Sequence, residues 1–230
     1  MKEEQGNVWD IVWKKDSYSD PNLRKLKARK KVDKLFEVMP LLDSHMVLVD
    51  VGCGGGYVSS EIYSRIHNKI ICIDESNAAI ELSKKNLSDL PIDIYHCNGT
   101  DIQLGNNIAD IVICIGSLEH IQNIDGCIGE IKRILKPGGY LYVVSSNKHS
   151  FMYYHRKIKE HLHIWKYGYQ KNWSQDELKK YLHSKGLEVV HSEIVNGMGD
   201  FKYISFLDSL CSRLGKPYGR YIVCLCKTNE

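Results

Sequence analysis

No run of about eighteen apolar residues occurs in the chain, and Met1-Lys2-Glu3-Glu4-Gln5 lacks the apolar core of a secretion signal. Neither a membrane-spanning nor an exported protein is expected, and the chain is assigned to the cytoplasm. Internal repeats and low-complexity linkers are missing too, which sets aside solenoids and arrays. Cysteine is present but not in a framework: of eight, Cys72, Cys114, Cys224 and Cys226 fall inside predicted strands, where they read as small buried hydrophobes. Cys224-x-Cys226 has no second pair to close a zinc site, so no metal is expected. Charge of one sign is scarce as well. Thirty-one Lys and Arg against 28 Asp and Glu leave a formal net charge of +3, too little for a dedicated nucleic-acid binder. At 230 residues the chain suffices for one well-packed α/β domain and is short for two.

What is there is a junction. Val47, Leu48, Val49 and Val51 supply a short β-branched run suited to a buried parallel strand, which enters the turn Gly52-Cys53-Gly54-Gly55-Gly56 and then a helical stretch, Tyr57 to Ile66. Glycines there permit positive φ and leave no side chain between main-chain amides and a ligand. A dinucleotide turn, G-x-G-x-x-G, would need glycine at position 57, which is Tyr57. Asp50, at the strand end, repels a diphosphate and attracts an ammonium group, such as that of S-adenosylmethionine. The bland alternative is a tight strand-to-helix connection with no ligand.

A second strand, Lys69 to Ile73, ends in Asp74, about twenty residues past the glycine turn, where an acid accepts from ribose hydroxyls; alternatively it caps the helix starting near Ser76. A third strand, Ile92 to His96, leads into Cys97-Asn98-Gly99-Thr100-Asp101, and a fourth, Ala109 to Ile115, into Gly116-Ser117-Leu118-Glu119-His120. An amphipathic helix from Ile128 through Lys136 is predicted to stop at Pro137-Gly138-Gly139, with a strand from Tyr140 to Ser145. Ser174 and Glu177 form a capping box for a helix to Ser184; Leu187 to Val195 and Tyr221 to Cys226 are the last strands. Alternating strands and helices predict right-handed crossovers and a parallel sheet with ligands outside the strand carboxyl ends.

This ordered series resembles the class I S-adenosylmethionine-dependent methyltransferases, in the small-molecule branch that includes the ubiquinone and menaquinone methyltransferases, over roughly residues 45 to 195. The resemblance implies a Rossmann-like, doubly wound, seven-stranded, mostly parallel sheet with an antiparallel last strand beside the sixth, and a helical, aromatic lid. It also implies that Asp50, Gly52, Cys53 and Gly54 wrap the methionine part of the cofactor and that Asp74 holds the ribose with Glu75 beside the adenine. Asn98 and Gly99 then read the adenine edge, Asn98 through its amide oxygen where many relatives have Asp, and Ile115 to Ser117 approach the sulfonium. Where relatives carry Asp-Leu-Pro-Phe this chain has Asp101-Ile102-Gln103-Leu104, without the proline that stiffens the loop.

Three segments fall outside the repeating pattern: residues 1–42, an N-terminal helical lid ahead of a methyltransferase domain over 43–230, and insertions at 148–173 and 196–219. In the resembled family such additions cover the substrate. The first holds a basic run (Arg24, Lys25, Lys27, Arg29, Lys30, Lys31, Lys34) interleaved with Leu23, Leu26, Val32, Leu35 and Phe36. It reads either as a footprint for RNA, an anionic membrane or a phosphorylated substrate, or, preferably, as a helix with solvated lysines and an apolar stripe on the domain. The second holds Phe151, Tyr153, Tyr154, Trp165, Tyr167, Tyr169 and Trp173, a pocket wall or a second small core, with His149, His155, His161 and His163.

Methyl transfer requires in-line alignment and, for a hydroxyl or protonated amine, removal of a proton. His120 is the leading candidate base, with Glu119 beside it and Tyr153, His149 and His163 in reserve; its structural alternative is a helix-start residue bonded to backbone. The expected activity is methylation of an oxygen or nitrogen of a small metabolite: a sugar, a polysaccharide precursor or a natural-product intermediate. Nucleic acid is an unlikely partner. The alternatives are an RNA-modifying methyltransferase using the basic helix and a noncatalytic cofactor-binding module.

Overall fold

A computed structural model describes residues 4–16, 20–39, 41–197, 202–213, 215 and 217–229. Parts of two expected lids, at 1–3, 17–19, 40, 198–201, 214 and 216, lie outside the described residues.

Seven strands, β1 (Val47–Val51), β2 (Lys69–Asp74), β3 (Asp93–His96), β4 (Ala109–Ile115), β5 (Leu135–Ser146), β6 (Leu187–Val195) and β7 (Tyr221–Thr228), lie in the order β3-β2-β1-β4-β5-β7-β6. The first five pair in parallel, and β7 inserts antiparallel between β5 and β6. This is the doubly wound arrangement expected, antiparallel last strand included. The order reverses direction between β1 and β4, so the ends of these two strands open a crevice there.

Helices flank the sheet: α3 (Tyr57–Ile66), α4 (Asn77–Asn86), α5 (Ile124–Ile134) and α7 (Gln175–Ser184). In α5 the buried Ile124, Cys127, Ile128, Ile131 and Ile134 recur at helical spacing and pack on the sheet face carrying Val49, Val112 and Val143. Each such aliphatic side chain contributes about 1.5–3 kcal/mol by burial. The capping box on α7 forms as expected, Ser174 accepting from Glu177 N–H and Glu177 from Ser174 N–H.

The predicted stop at Pro137-Gly138-Gly139 is not a clean break. Leu135 already pairs with Ala109, and pairing resumes at Tyr140 opposite Ile111 with a register shift between. Pro137 has no N–H for the ladder and Gly138 takes φ 72°, so this stretch bulges while the Lys136 ammonium reaches the Asp110 carboxylate at 2.8 Å.

Among the described residues four further helices lie outside the alternating pattern: α1 (Glu4–Asp16), α2 (Pro21–Val38), α6 (Phe151–His161) and α8 (Lys202–Arg213). Buried Ala28, Val32 and Leu35 lay α2 against the core side holding Leu48 and Ile62. Asp10 tethers α1 to the start of α4, accepting from the Ser76 hydroxyl at 2.7 Å and Ala78 N–H at 3.1 Å. No helix among the described residues is long and apolar enough to cross a membrane.

Candidate active site

The turn after β1 leaves the sheet at the reversal of strand order. Gly52 adopts φ 77°, and a Cβ there would stand 2.4 Å from Cβ of Ser117, whose hydroxyl donates to the Val51 carbonyl at 2.8 Å. The motif predicts amides facing a ligand; the turn instead commits them inward. Gly52 and Cys53 N–H both donate to the Ile73 carbonyl (2.8 and 3.0 Å), and Gly54 N–H donates to Asp74 Oδ2 at 2.8 Å. Buried main-chain donors must find partners, and β2 supplies them. What the turn offers a ligand is side-chain-free surface.

Two chambers open over this turn. The smaller, of about 300 Å³, is lined by Gly52, Asp74, Glu75, Asn98 and Gly99, with Val51, Ile73, Cys97 and Ile121 as apolar walls. Asp74 accepts from Gly54 and Ser76 N–H, and burial pushes its pKa up. Ser76, not Asp74, supplies the side-chain cap of α4. Asn98 departs from expectation. Its amide oxygen accepts from the Thr100 N–H (2.9 Å) and hydroxyl (2.8 Å), and its NH2 donates to Glu75, so the side chain shapes the loop and positions Glu75 at the chamber edge.

The larger chamber, of about 580 Å³, is lined by Asp50, Cys53, Ile115, Glu119 and Tyr153 among others. Asp50 is buried, accepts from the Ser59 hydroxyl at 2.6 Å, and has its pKa raised to about 6, chiefly by burial. Contact with Cys72 and burial push the Cys53 thiol well up, so it stays protonated and unreactive. Glu119 sits in a short 3₁₀ turn, Leu118–His120, with Oε1 accepting from the Ser146 hydroxyl at 2.9 Å and Oε2 buried without a hydrogen bond.

His120 borders both chambers, as do Gly52 and Gly116. Its Nδ1 lies 2.9 Å from the Tyr169 carbonyl, which can only accept, so Nδ1 carries a proton. Trp9 meets the ring edge-on, centroids 4.7 Å apart. Of the reserve candidates, Tyr153 lines the larger chamber; His149 and His163 line neither.

Gly54, named with the cofactor residues, lines neither chamber. Trp13 lies over it, with Cζ2 2.2 Å from where a Cβ would be. Trp9 and Trp13, which both line the two chambers, were not picked out by sequence motifs; the signal was present as Trp9, Val12 and Trp13 at i, i+3 and i+4, with Val12 buried. The basic run of α2 also divides differently from either expectation. Arg24, Lys27 and Lys31 turn into the larger chamber, while Lys25, Arg29 and Lys30 face outward. The aromatic insertion divides as well: Tyr153, Trp165 and Tyr167 wall the chamber, Trp173 joins the main core, and Tyr154 and Tyr169 are exposed.

A slot with apolar walls and two carboxyl groups suits a nucleoside, and a buried carboxylate across a side-chain-free turn suits an attached ammonium, so the donor set fits S-adenosylmethionine. A family model described as a methyltransferase domain matches residues 49–143. A ubiquinone biosynthesis O-methyltransferase of Rhodopseudomonas palustris is 29% identical over 157 residues, covering 64% of this chain and 59% of that protein. The chain spans about half the length of the curated relatives it matches first. Among solved structures, an S-adenosylmethionine-dependent methyltransferase from Aquifex aeolicus shares the fold at TM-score 0.64 and 17% identity, covering 95% of this chain and 97% of that one. A geranyl diphosphate C-methyltransferase from Streptomyces coelicolor, solved with S-adenosyl-L-homocysteine, does so at TM-score 0.61 and 14% identity, covering 80% and 70%. The chain thus carries a stretch that matches a methyltransferase domain over residues 49–143, on a fold shared with solved S-adenosylmethionine-dependent methyltransferases.

Proposed function

We propose that the protein transfers a methyl group from S-adenosylmethionine to an oxygen or nitrogen of a small metabolite held in the larger chamber, oxygen being favoured by the names of the curated relatives. A sugar, a polysaccharide precursor or a natural-product intermediate is the proposed acceptor class. The observation that carries this reading is the position of His120, whose ring stands where the two chambers meet and hence where a methyl passing between them must cross.

Bound S-adenosylmethionine supplies a methyl already activated on sulfonium. The side chains therefore align, exclude water and move one proton. Asp74 and Glu75 hold the ribose hydroxyls, Asn98 and Gly99 flank the adenine, Gly52 and Cys53 run along the methionine part, and Asp50 meets its ammonium, with Ile115 as a wall near the sulfur. Tyr169 holds a proton on His120 Nδ1, and Nε2 is the ring nitrogen that takes the acceptor proton in this reading. Glu119, with Oε2 unmatched, orients the acceptor hydroxyl or ammonium. Trp9, Trp13 and the Tyr153, Trp165 and Tyr167 rings keep water from the transfer line.

The test is incubation of metabolite extract with methyl-labelled cofactor, followed by mass spectrometry, with His120→Ala in parallel. Turnover is expected to fall by about 10²–10⁴ while affinity for S-adenosylhomocysteine holds. A labelled product formed equally by both proteins removes His120 from the reaction. No labelled product, with no cofactor bound, rejects the reading itself.

A further inference from the structure

The two chambers carry opposite charge. The smaller is lined by Asp74 and Glu75 and by no lysine or arginine, whereas seven cationic side chains face the larger against two carboxylates, Asp50 and Glu119. A chain whose formal excess is only +3 thus concentrates cations in one enclosure. They come from three separate elements. Helix α2 contributes Arg24, Lys27 and Lys31, α6 and the segment after it contribute Arg156, Lys159 and Lys166, and Arg220 precedes β7.

Convergence from distant segments distinguishes this from a solvated helix face. Ala28, Val32 and Leu35 set the rotation of α2, and the same rotation points positions 24, 27 and 31 inward. Lys31 is the sharpest case. It is half-buried, lines the chamber, and makes no hydrogen bond or ion pair with any described residue. Burial lowers its pKa, opposed by the fields of Glu119 and Asp50 and reinforced by Arg24 and Lys27. A half-buried ammonium that no protein acceptor engages is available to an anionic group entering the chamber. Across the chamber, Arg156 is 4% exposed, with Nη1 donating to the Gln170 carbonyl at 2.7 Å; its Nε stands 3.5 Å from Glu160 without a hydrogen bond.

We infer that the larger chamber receives an acceptor bearing a phosphate or diphosphate group, bound between Lys31 on α2 and the cations of α6 and the segment after it, with the Tyr153, Trp165 and Tyr167 rings against its remaining body. A surplus of several charges exceeds what one carboxylate neutralises, and a guanidinium together with ammonium groups matches phosphoryl oxygens. This rests on the reading of the larger chamber as the acceptor site.

The test titrates inorganic pyrophosphate calorimetrically into the full chain, with and without saturating S-adenosylhomocysteine, whose own binding is measured first. Citrate and a short single-stranded RNA are titrated in separate arms. Pyrophosphate is expected to bind with Kd below about 1 mM, more tightly than citrate or RNA. Lys31→Gln is expected to weaken it about tenfold or more, and outward-facing Lys25→Gln to leave it unchanged. Lys159→Gln carries the same expectation as Lys31→Gln and decides the matter if the Lys31 variant does not fold. Undetectable pyrophosphate binding, equal binding by the wild type and the folded chamber variant, or tighter binding of citrate or RNA overturns the inference. Failure of S-adenosylhomocysteine to bind instead rejects the cofactor reading, and the cofactor-free titration still decides the phosphate site.

Discussion

Replacing Asp50 with Asn should stabilise the cofactor-free protein and at the same time weaken its hold on the cofactor. Asp50 is 2% exposed, and its pKa is raised from an ordinary 3.8 to about 6, with burial as the main cause and the Ser59 hydroxyl pulling the other way. A carboxyl group whose folded pKa is raised retains its proton in the folded state while the unfolded chain has released it. Stability therefore falls as pH rises from about 4 to about 6, and the penalty is complete above that. Two units correspond to about 3 kcal/mol. Asn keeps the shape, accepts from Ser59 and carries no charge, but it also removes the field that favours protonated Lys31, so the net gain is nearer 1–3 kcal/mol.

Thermal melts of wild type and Asp50→Asn between about pH 4 and pH 8 read this directly. The curves should coincide near pH 4 and separate by several degrees above pH 6, the variant melting higher. Calorimetry with S-adenosylhomocysteine should move the opposite way, with affinity lost in the variant, and in the wild type falling up to tenfold per pH unit below about 6 as Asp50 takes up a proton. Melting curves separated by the same amount at every pH would refute the placement of an ionising carboxylate in this crevice.

Ser59→Ala removes the hydrogen bond that favours ionised Asp50, so the pH midpoint of cofactor binding should move upward; an unmoved midpoint in a calorimetric pH series would count against the pairing. Gly54→Ala places a methyl group 2.2 Å from Cζ2 of Trp13 and holds alanine at φ 55°. Left-handed backbone alone costs about 1–2 kcal/mol, so α1 should lift, seen as faster amide exchange over residues 8–16, and unchanged exchange there would show that Trp13 does not rest on the turn.

The lining of the smaller chamber was legible because it is local. Strand, turn and helix start run together from Val47 to Tyr57, and Asp74 and Asn98 each end the next strand, so one-dimensional spacing maps onto the crevice once the sheet is parallel. Gly54 shows the limit: spacing placed it among ligand contacts, but whether a glycine faces a ligand or an indole depends on α1, about forty residues earlier. The larger chamber was not legible for the same reason as Gly54. It draws on α1, α2, α6, the segment after α6 and Arg220, and which lysines of α2 face inward depends on a helix rotation fixed by packing on α3. The Lys136-Pro137-Gly138-Gly139 stretch misled through a correct local rule: these residues do end the helix, but Leu135 enters the sheet before them because Ala109 awaits a partner.

Segregated charge also bears on how the two ligands meet. In the proposed function the sulfonium of the methyl donor sits where the chambers join, next to the enclosure that gathers seven cations, and there it is repelled as long as that enclosure holds no bound anion. At an effective dielectric constant near 20, one unit charge acting on another about 10 Å away is worth roughly 1–2 kcal/mol, about tenfold in affinity. An anion in the larger chamber should therefore tighten S-adenosylmethionine binding, and by thermodynamic reciprocity the charged cofactor should tighten the anion equally. S-adenosylhomocysteine has the same amino-acid and nucleoside ends but a neutral thioether. Measured with and without pyrophosphate, the affinity of S-adenosylmethionine should rise several-fold more than that of the product, so that methyl transfer itself loosens the pair. Equal gains for both would mean that the cations act on the cofactor through something other than the charge on sulfur.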